Sequence, residues 1–270
     1  MISSVANAMK VIESLSEDAS GMSVAELQRT TGIEKSVVSR IITTLEGEGY
    51  VWKETKTDLV RLTVRVPAIA LRFLEKIGLL EICEPILNEL AVATGELIQL
   101  AICDQAPPIY VAKAQGKNRI QAMPLIGTRA VPHASTAGKL WLASMTDFEA
   151  IALLQRTELS RLATGTKTRS EDVIDDIRKI REQGYALIED ELSDGVSAIA
   201  IPLTTNRYVG ALCLAMPSYR ASEQALTSFL PLLRSRAPEL ARVISFCLTH
   251  GSAAGATHTI KATHEEVAHG

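Results

Sequence analysis

Aromatic side chains make up only 4% of this 270-residue sequence, too few for a stacking platform along single-stranded nucleic acid. A basic excess is missing too. The net charge is −3. Within residues 1–65 the cations Lys10, Arg29, Lys35, Arg40, Lys53, Lys56, Arg61 and Arg65 are matched by Glu13, Glu17, Asp18, Glu26, Glu34, Glu46, Glu48, Glu54 and Asp58. That balance excludes a chain-wide electrostatic grip on a polyanion; such affinity must come from local clustering and from more than one copy. No Cys-x-x-Cys pair occurs among Cys83, Cys103, Cys213 and Cys247, and each lies in an apolar run. Buried free thiols in a reducing compartment are expected. No stretch of about 18 apolar residues is present, so no membrane span is expected. The opening residues lack a basic segment followed by a long apolar one, which predicts no signal peptide and a cytoplasmic protein.

At 47% hydrophobic and 22% charged, the chain can build one large core or two ordinary ones. Val5, Ala8, Met9, Ile12 and Leu15 recur at helical spacing before the loop at residues 17–21. Ser23 followed by Glu26 forms a capping-box pattern that opens a helix over Val24–Thr31, and Gly32 turns the chain. A third helix, about Glu34–Glu48, carries Val38, Ile41, Ile42 and Leu45 on one face and stops at Gly49. Two short β-prone runs, Tyr50–Glu54 and Val60–Val64, then form a hairpin or wing. Together these predict a winged helix-turn-helix over residues 1–65.

The third helix presents Lys35, Ser36, Ser39, Arg40 and Thr43 opposite its apolar face. A helix that enters the major groove needs this division, apolar behind and short polar or basic in front. Arg40 is the strongest candidate for a bidentate guanine contact or a phosphate clamp. Lys53, Lys56 and Arg61 on the wing would reach the backbone or the minor groove. A polar helix face alone is more often an ordinary solvated face. The tri-helical spacing, the turn glycine and the wing together point instead to double-stranded operator DNA. The alternative is a ligand-sensing or protein-interaction module that does not read DNA.

Residues 66–78 read as a helical connector, Pro67–Ile77, broken at Gly78 before a helix over Leu79–Thr94. A different kind of domain occupies residues 79–250. Leu97–Cys103 and Ile109–Ala114 read as strands, His133–Met145 leads into a helix, and Asp147–Leu154 is another. Ser170 is expected to cap a helix over Glu171–Gln183. Tyr185–Glu189, Ala198–Leu203 and Val209–Ala215 are strand-like, and one long helix spans about Glu223–Leu248. Strands in hairpin-like succession with helices on one side predict an α+β domain with a mostly antiparallel sheet. Residues 251–270 lack periodicity and are expected to be a disordered tail.

Two stretches resemble the IclR-type transcriptional regulators. The first has Ser36-x-x-x-Arg40 ahead of Leu45-x-x-x-Gly49-Tyr50. The second has Ile126-Gly127-Thr128, then Pro132-His133-Ala134-Ser135-Thr136-Ala137-Gly138-Lys139, with Glu191-x-x-x-Gly195 before Ala200-Ile201-Pro202. The likeness runs to about residue 250. It implies a GAF-like effector-binding domain, homodimers or homotetramers, and control of a catabolic operon by a small organic acid. By matching motif positions it also implies an effector pocket lined by Gly127, His133, Ser135, Thr136, Ala137, Glu189, Cys213 and Ala215. Where one acid-binding relative carries an Asp on its acidic strand, this chain has Ile188, with Glu189 next. Serines expected on the last strand are replaced by Cys213 and Ala215. A more apolar pocket follows, which favours an aromatic or hydrophobic acid.

Physically, Ser135–Lys139 opens a helix after a polar loop, and the unpaired N–H groups of a helix N-terminus hold carboxylates well. Simple N-capping by Ser135 accounts for the same residues without a ligand. Enzyme patterns are missing. His133 stands where a phosphate loop ending at Gly138-Lys139 needs glycine, Ser135 to Lys139 is one residue too long for Ser-x-x-Lys, and no Gly-x-Ser-x-Gly elbow occurs. His133 is the one histidine before His250, with His258, His264 and His269 following in the tail, a spacing that offers no ordered metal set. Asp175-Asp176 reads as part of a solvated helix face, and Glu189-Asp190-Glu191 as an acid cluster without an accompanying base. The expectation is a regulator with no enzymatic activity, no cofactor and no metal.

Overall fold

The computed structural model describes residues 2–103, 106–119, 122–123 and 126–250; the expected disordered tail, residues 251–270, lies outside them. The chain divides into two compact units, Met1–Glu75 and Lys76–Gly270.

In the first unit, helices α1 (Ser3–Ser16), α2 (Val24–Thr31) and α3 (Lys35–Gly47) precede an antiparallel wing of β1 (Val51–Lys53) and β2 (Val60–Leu62). The capping box closes: the Glu26 N–H donates to Ser23 Oγ at 3.3 Å, and the Ser23 N–H donates to Glu26 Oε2 at 2.8 Å. Gly32 takes φ +68°, a left-handed conformation that ends α2 and lets α3 leave in a new direction. Val11, Leu15, Leu27, Val38, Ile41, Ile42 and Leu45 share one core with Val51 and Val60. Burying that side of α3 seats the helix and turns its other side outward.

Helix α4 (Arg65–Ile77) is followed, after left-handed Gly78 at φ +67°, by α5 (Leu79–Thr94). The sheet of the second unit contains β3 (Leu97–Ile102), β4 (Ile109–Ala114), β5 (Ala186–Glu189), β6 (Val196–Thr204) and β7 (Tyr208–Pro217). Its order is β4-β3-β7-β6-β5, and every neighbouring pair is antiparallel. Helices α6 (Thr136–Ala143), α7 (Asp147–Leu154), α8 (Ser170–Gln183), α9 (Glu223–Thr227) and α10 (Leu230–His250) complete it. Among the described residues, no helix is long and apolar enough to cross a membrane.

Three details differ from the sequence expectation. Helices cover both faces of the sheet rather than one, because both faces of β7 are apolar. Leu212, Leu214 and Met216 pack in one core with α5 and α10, whereas Ala211 and Cys213 face a second core with Ala137 and Leu140 of α6 and Ile180 of α8. The expected long final helix is two, α9 and α10. Pro231 lacks the N–H that would continue the helix onto the Thr227 carbonyl, and it sits in the first turn of α10, where proline is best tolerated. Ser170 is the first residue of α8 rather than its cap. Arg169 holds the cap position without a side-chain bond, and Glu171 and Asp172 complement the helix dipole instead.

Candidate DNA-reading face and effector cavity

Lys35, Ser36, Ser39, Arg40 and Thr43 are all exposed, since α3 buries the opposite side. The short polar side chains bond locally: Ser36 Oγ donates to Glu34 Oε1 at 2.6 Å, and Thr43 Oγ1 donates to the Ser39 carbonyl at 3.0 Å. Their donors are satisfied without reaching across the helix surface, which leaves it low enough for close approach by a duplex. Among the described residues, no ion pair engages Lys35, Arg40 or Lys56. The wing cations Lys53 and Arg61 are placed differently. Lys53 Nζ lies 2.9 Å from Asp58 Oδ1, and Arg61 lies 3.5 Å from Glu54 Oε2 with its guanidinium 6.0 Å from the Trp52 ring centre. Such surface pairs contribute about 0–1 kcal/mol, so a phosphate can displace the acid at small cost. Lys56 is exposed in the turn between β1 and β2.

In the second unit, a cavity of about 480 Å³ opens between the sheet and the start of α6, within the roughly 300–1,000 Å³ usual for small-molecule sites. Ser135, Thr136, Cys213 and Ala215 line it. The other residues implied by the resemblance lie elsewhere. Gly127 is exposed in a turn at φ +80°, and a Cβ there would meet nothing. His133 is buried with Nε2 3.0 Å from the Ser160 carbonyl oxygen. Ala137 packs in the core beneath α6. Glu189 is exposed, because strand alternation turns Ile188 into the cavity and its neighbour out.

Gln99, Tyr110, Leu192, Val196 and Ala198 also line the cavity, and sequence reasoning assigned none of them to it; Ile188, from which a more apolar pocket was expected, lines it too. A signal existed for the first: Gln99 is the one polar residue in the run Leu97–Ile102. Leu162 and Leu192 arrive on loops, where no periodicity marks them. Burial pushes the Cys213 thiol up to about 12 and the Tyr110 phenol above its ordinary range, so both stay neutral near pH 7. Cys213 therefore packs rather than reacts. Gly138 is required where it stands, since a Cβ would fall 2.2 Å from the Val131 carbonyl oxygen against which α6 begins.

One wall of this region rests on a buried ion network. Lys139 is fully buried, with Nζ 2.6 Å from Asp176 Oδ2 and 2.5 Å from Glu191 Oε2; Lys167 also pairs with Asp176. Asp176 therefore does not sit on a solvated face, and Glu191 is not an unaccompanied acid. Burial raises the Asp176 carboxyl, but Lys139 and Lys167 outweigh it and hold the group below its ordinary value. For Glu191 burial prevails over Lys139, and the carboxyl lies above its ordinary value. Thr166 Oγ1 donates to the Glu191 carbonyl at 2.6 Å, tying the loop that carries Leu162 to the same network.

Comparison with known proteins agrees with this two-part arrangement. The family described as IclR helix-turn-helix domain matches residues 4–54, and Bacterial transcriptional regulator IclR C-terminal matches residues 71–242. The chain is 26% identical over 248 residues to the HTH-type transcriptional regulator XynR of Escherichia coli K12, covering 91% of this chain and 98% of that protein. It is 28% identical over 250 residues to the Pca operon regulatory protein of Acinetobacter baylyi, covering 90% and 89%. An IclR homolog from Microbacterium hydrocarbonoxydans, solved with 4-hydroxybenzoate, matches with a TM-score of 0.71 at 20% identity over 90% of this chain and 99% of that one. The inducer-binding domain of a PobR double mutant from Acinetobacter, solved with 3-hydroxybenzoic acid, matches at TM-score 0.55 and 27% identity. That match covers 60% of this chain and 96% of that one. The two named curated relatives are a transcriptional regulator and an operon regulatory protein. With a helix-turn-helix in its first unit and the effector domain in its second, the chain belongs to the IclR family of transcriptional regulators.

Proposed function

We propose that this regulator controls a catabolic operon in response to a small organic acid, with an aromatic acid favoured. Residues 1–65 read a palindromic operator, 66–78 connect, and 79–250 bind the effector. Lys35, Ser36, Ser39, Arg40 and Thr43 enter the major groove, Arg40 as a bidentate guanine ligand or phosphate clamp. Lys56 holds the backbone, joined by Lys53 and Arg61 once phosphate replaces Asp58 and Glu54. The charge balance of the head makes one copy a weak binder, so a dimer or tetramer presents several heads. Bound effector acts by population shift, moving the spacing of paired heads only as far as its affinities for the two arrangements differ.

The observation that carries the effector reading is the cavity of about 480 Å³, apolar over most of its lining and polar at the start of α6. The 3-hydroxybenzoic acid complex of the PobR fragment supports an aromatic acid. The test is Thr136→Trp, which fills the cavity. Regulation of a bound operator fragment by a panel of aromatic acids should vanish while DNA affinity is kept; a retained response would move the site elsewhere.

A further inference from the structure

Gln99 stands in the middle of β3, opposite Cys213 of β7 and Lys113 of β4. Alternation sends Ile98 and Leu100 into the core with α5 and α10, and turns Gln99 to the cavity side. The residue is only 3% exposed, and among the described residues its amide nitrogen has no hydrogen-bond partner. A buried donor left unpaired is costly, and proteins rarely retain one without a use.

The other polar groups of the cavity are largely committed. Ser135 Oγ donates to the Val131 carbonyl and accepts from the Gly138 N–H. The Tyr110 hydroxyl lies beside Ser135 and Thr136, and Thr136 lies beside the Cys213 thiol. Among the described residues, none of those lining the cavity carries a charge. Lys139 does not line the cavity and is held by two carboxylates. The Gln99 amide and the start of α6 therefore meet at one polar end, both offering N–H to an acceptor. Of the rest of the lining, Ser193 is polar and exposed, while Ile188, Leu192, Val196, Ala198 and Ala215 are apolar.

We infer that Gln99 determines effector specificity: its side-chain amide donates a hydrogen bond to an oxygen of the ligand's carboxylate. The cavity thus takes a monocarboxylate with an apolar body and rejects dicarboxylates. This rests on the reading that the cavity is the effector site. One carboxylate is held by uncharged donors at the polar end. A second would lose water against the apolar walls of Ile188, Val196, Ala198 and Ala215, and among the described residues no lining cation compensates it.

The experiment is calorimetric titration of the full chain with benzoate and with terephthalate. Wild type should bind benzoate and not terephthalate. Gln99→Met, similar in length but without the donor, should bind benzoate about tenfold or more weakly, the usual scale for a lost hydrogen bond to a charged group. Gln99→Glu should lose benzoate at neutral pH and regain part of it as the pH falls and the new carboxyl protonates. Ala215→Trp, which blocks the cavity, separates the two levels of the claim. If Ala215→Trp abolishes binding while Gln99→Met stays within about twofold of wild type, the cavity stands and the role of Gln99 is overturned. If Ala215→Trp binds as wild type does, the cavity reading fails and this inference with it. If wild type binds terephthalate as well as benzoate, or binds neither, the monocarboxylate class is overturned. Should Gln99→Met not fold, the pH response of Gln99→Glu decides: binding equal to wild type at neutral pH overturns the assignment.

Discussion

The two functional regions handle polar chemistry in opposite ways. The outer face of α3 keeps Lys35 and Arg40 in water, without an ion pair among the described residues. Among the described residues, the cavity at the start of α6 is lined by no charged side chain, and the nearby cation Lys139 is buried and neutralised by Asp176 and Glu191. A polyanion that must be found by diffusion and then released is suited by exposed, screened charge. A small ligand that must be told from its analogues is suited by buried neutral donors, whose misfit is expensive. A charge that is buried but never meets a ligand, as at Lys139, serves architecture.

That contrast can be broken at its strongest point first. Lys139→Met leaves Glu191 without its cation and Asp176 with Lys167 alone, and the loss of one partner of a buried ion network costs about 3–5 kcal/mol. Urea unfolding should show that loss in the second unit; a change under about 1 kcal/mol would mean the network is dispensable. A pH series sharpens the same point. The Asp176 carboxyl lies below its ordinary value when folded, so its stabilisation is present above the unfolded value, about pH 4, and fades as the pH falls through the folded one. Asp176→Asn should therefore be less stable than wild type at pH 7, with the difference closing in acid. Glu191, raised when folded, has the opposite sign: its contribution is fullest in acid and is lost as the pH rises through its folded value. Glu191→Gln should accordingly differ from wild type in the reverse pH sense.

Smaller effects are expected in the first unit. Ser23→Ala removes the α2 cap and should cost about 1 kcal/mol in thermal unfolding, without altering DNA contacts. Lys56→Ala should weaken DNA binding evenly across sequences and lower the slope of log affinity against log salt by about 1. A sequence-selective loss would instead make Lys56 a base reader.

The two regions also differed in how far the sequence revealed them. Ser23, Glu26, Gly32 and Gly49 act on neighbours within a few residues, so caps and helical periodicity predicted the first unit with little error. The cavity depends on pairings set by the sheet. Gln99 meets Cys213 only through the β3–β7 register, and Lys139 finds its acids 37 and 52 residues away. Motif matching reached Ser135, Thr136, Cys213 and Ala215 because they lie at a helix start and on one strand face. It misplaced Glu189 by a single residue, which in a strand is the difference between inside and outside.

The central claim is that the exposed side of α3 reads DNA through Arg40. The direct measurement is affinity for a duplex selected by the full chain from a random pool, compared between wild type and Arg40→Ala at one salt concentration. A loss of about 1–3 kcal/mol, with selectivity relaxed at one base pair in each half-site, is the predicted result. Equal affinity and equal selectivity, with the oligomer intact in both proteins, would contradict it.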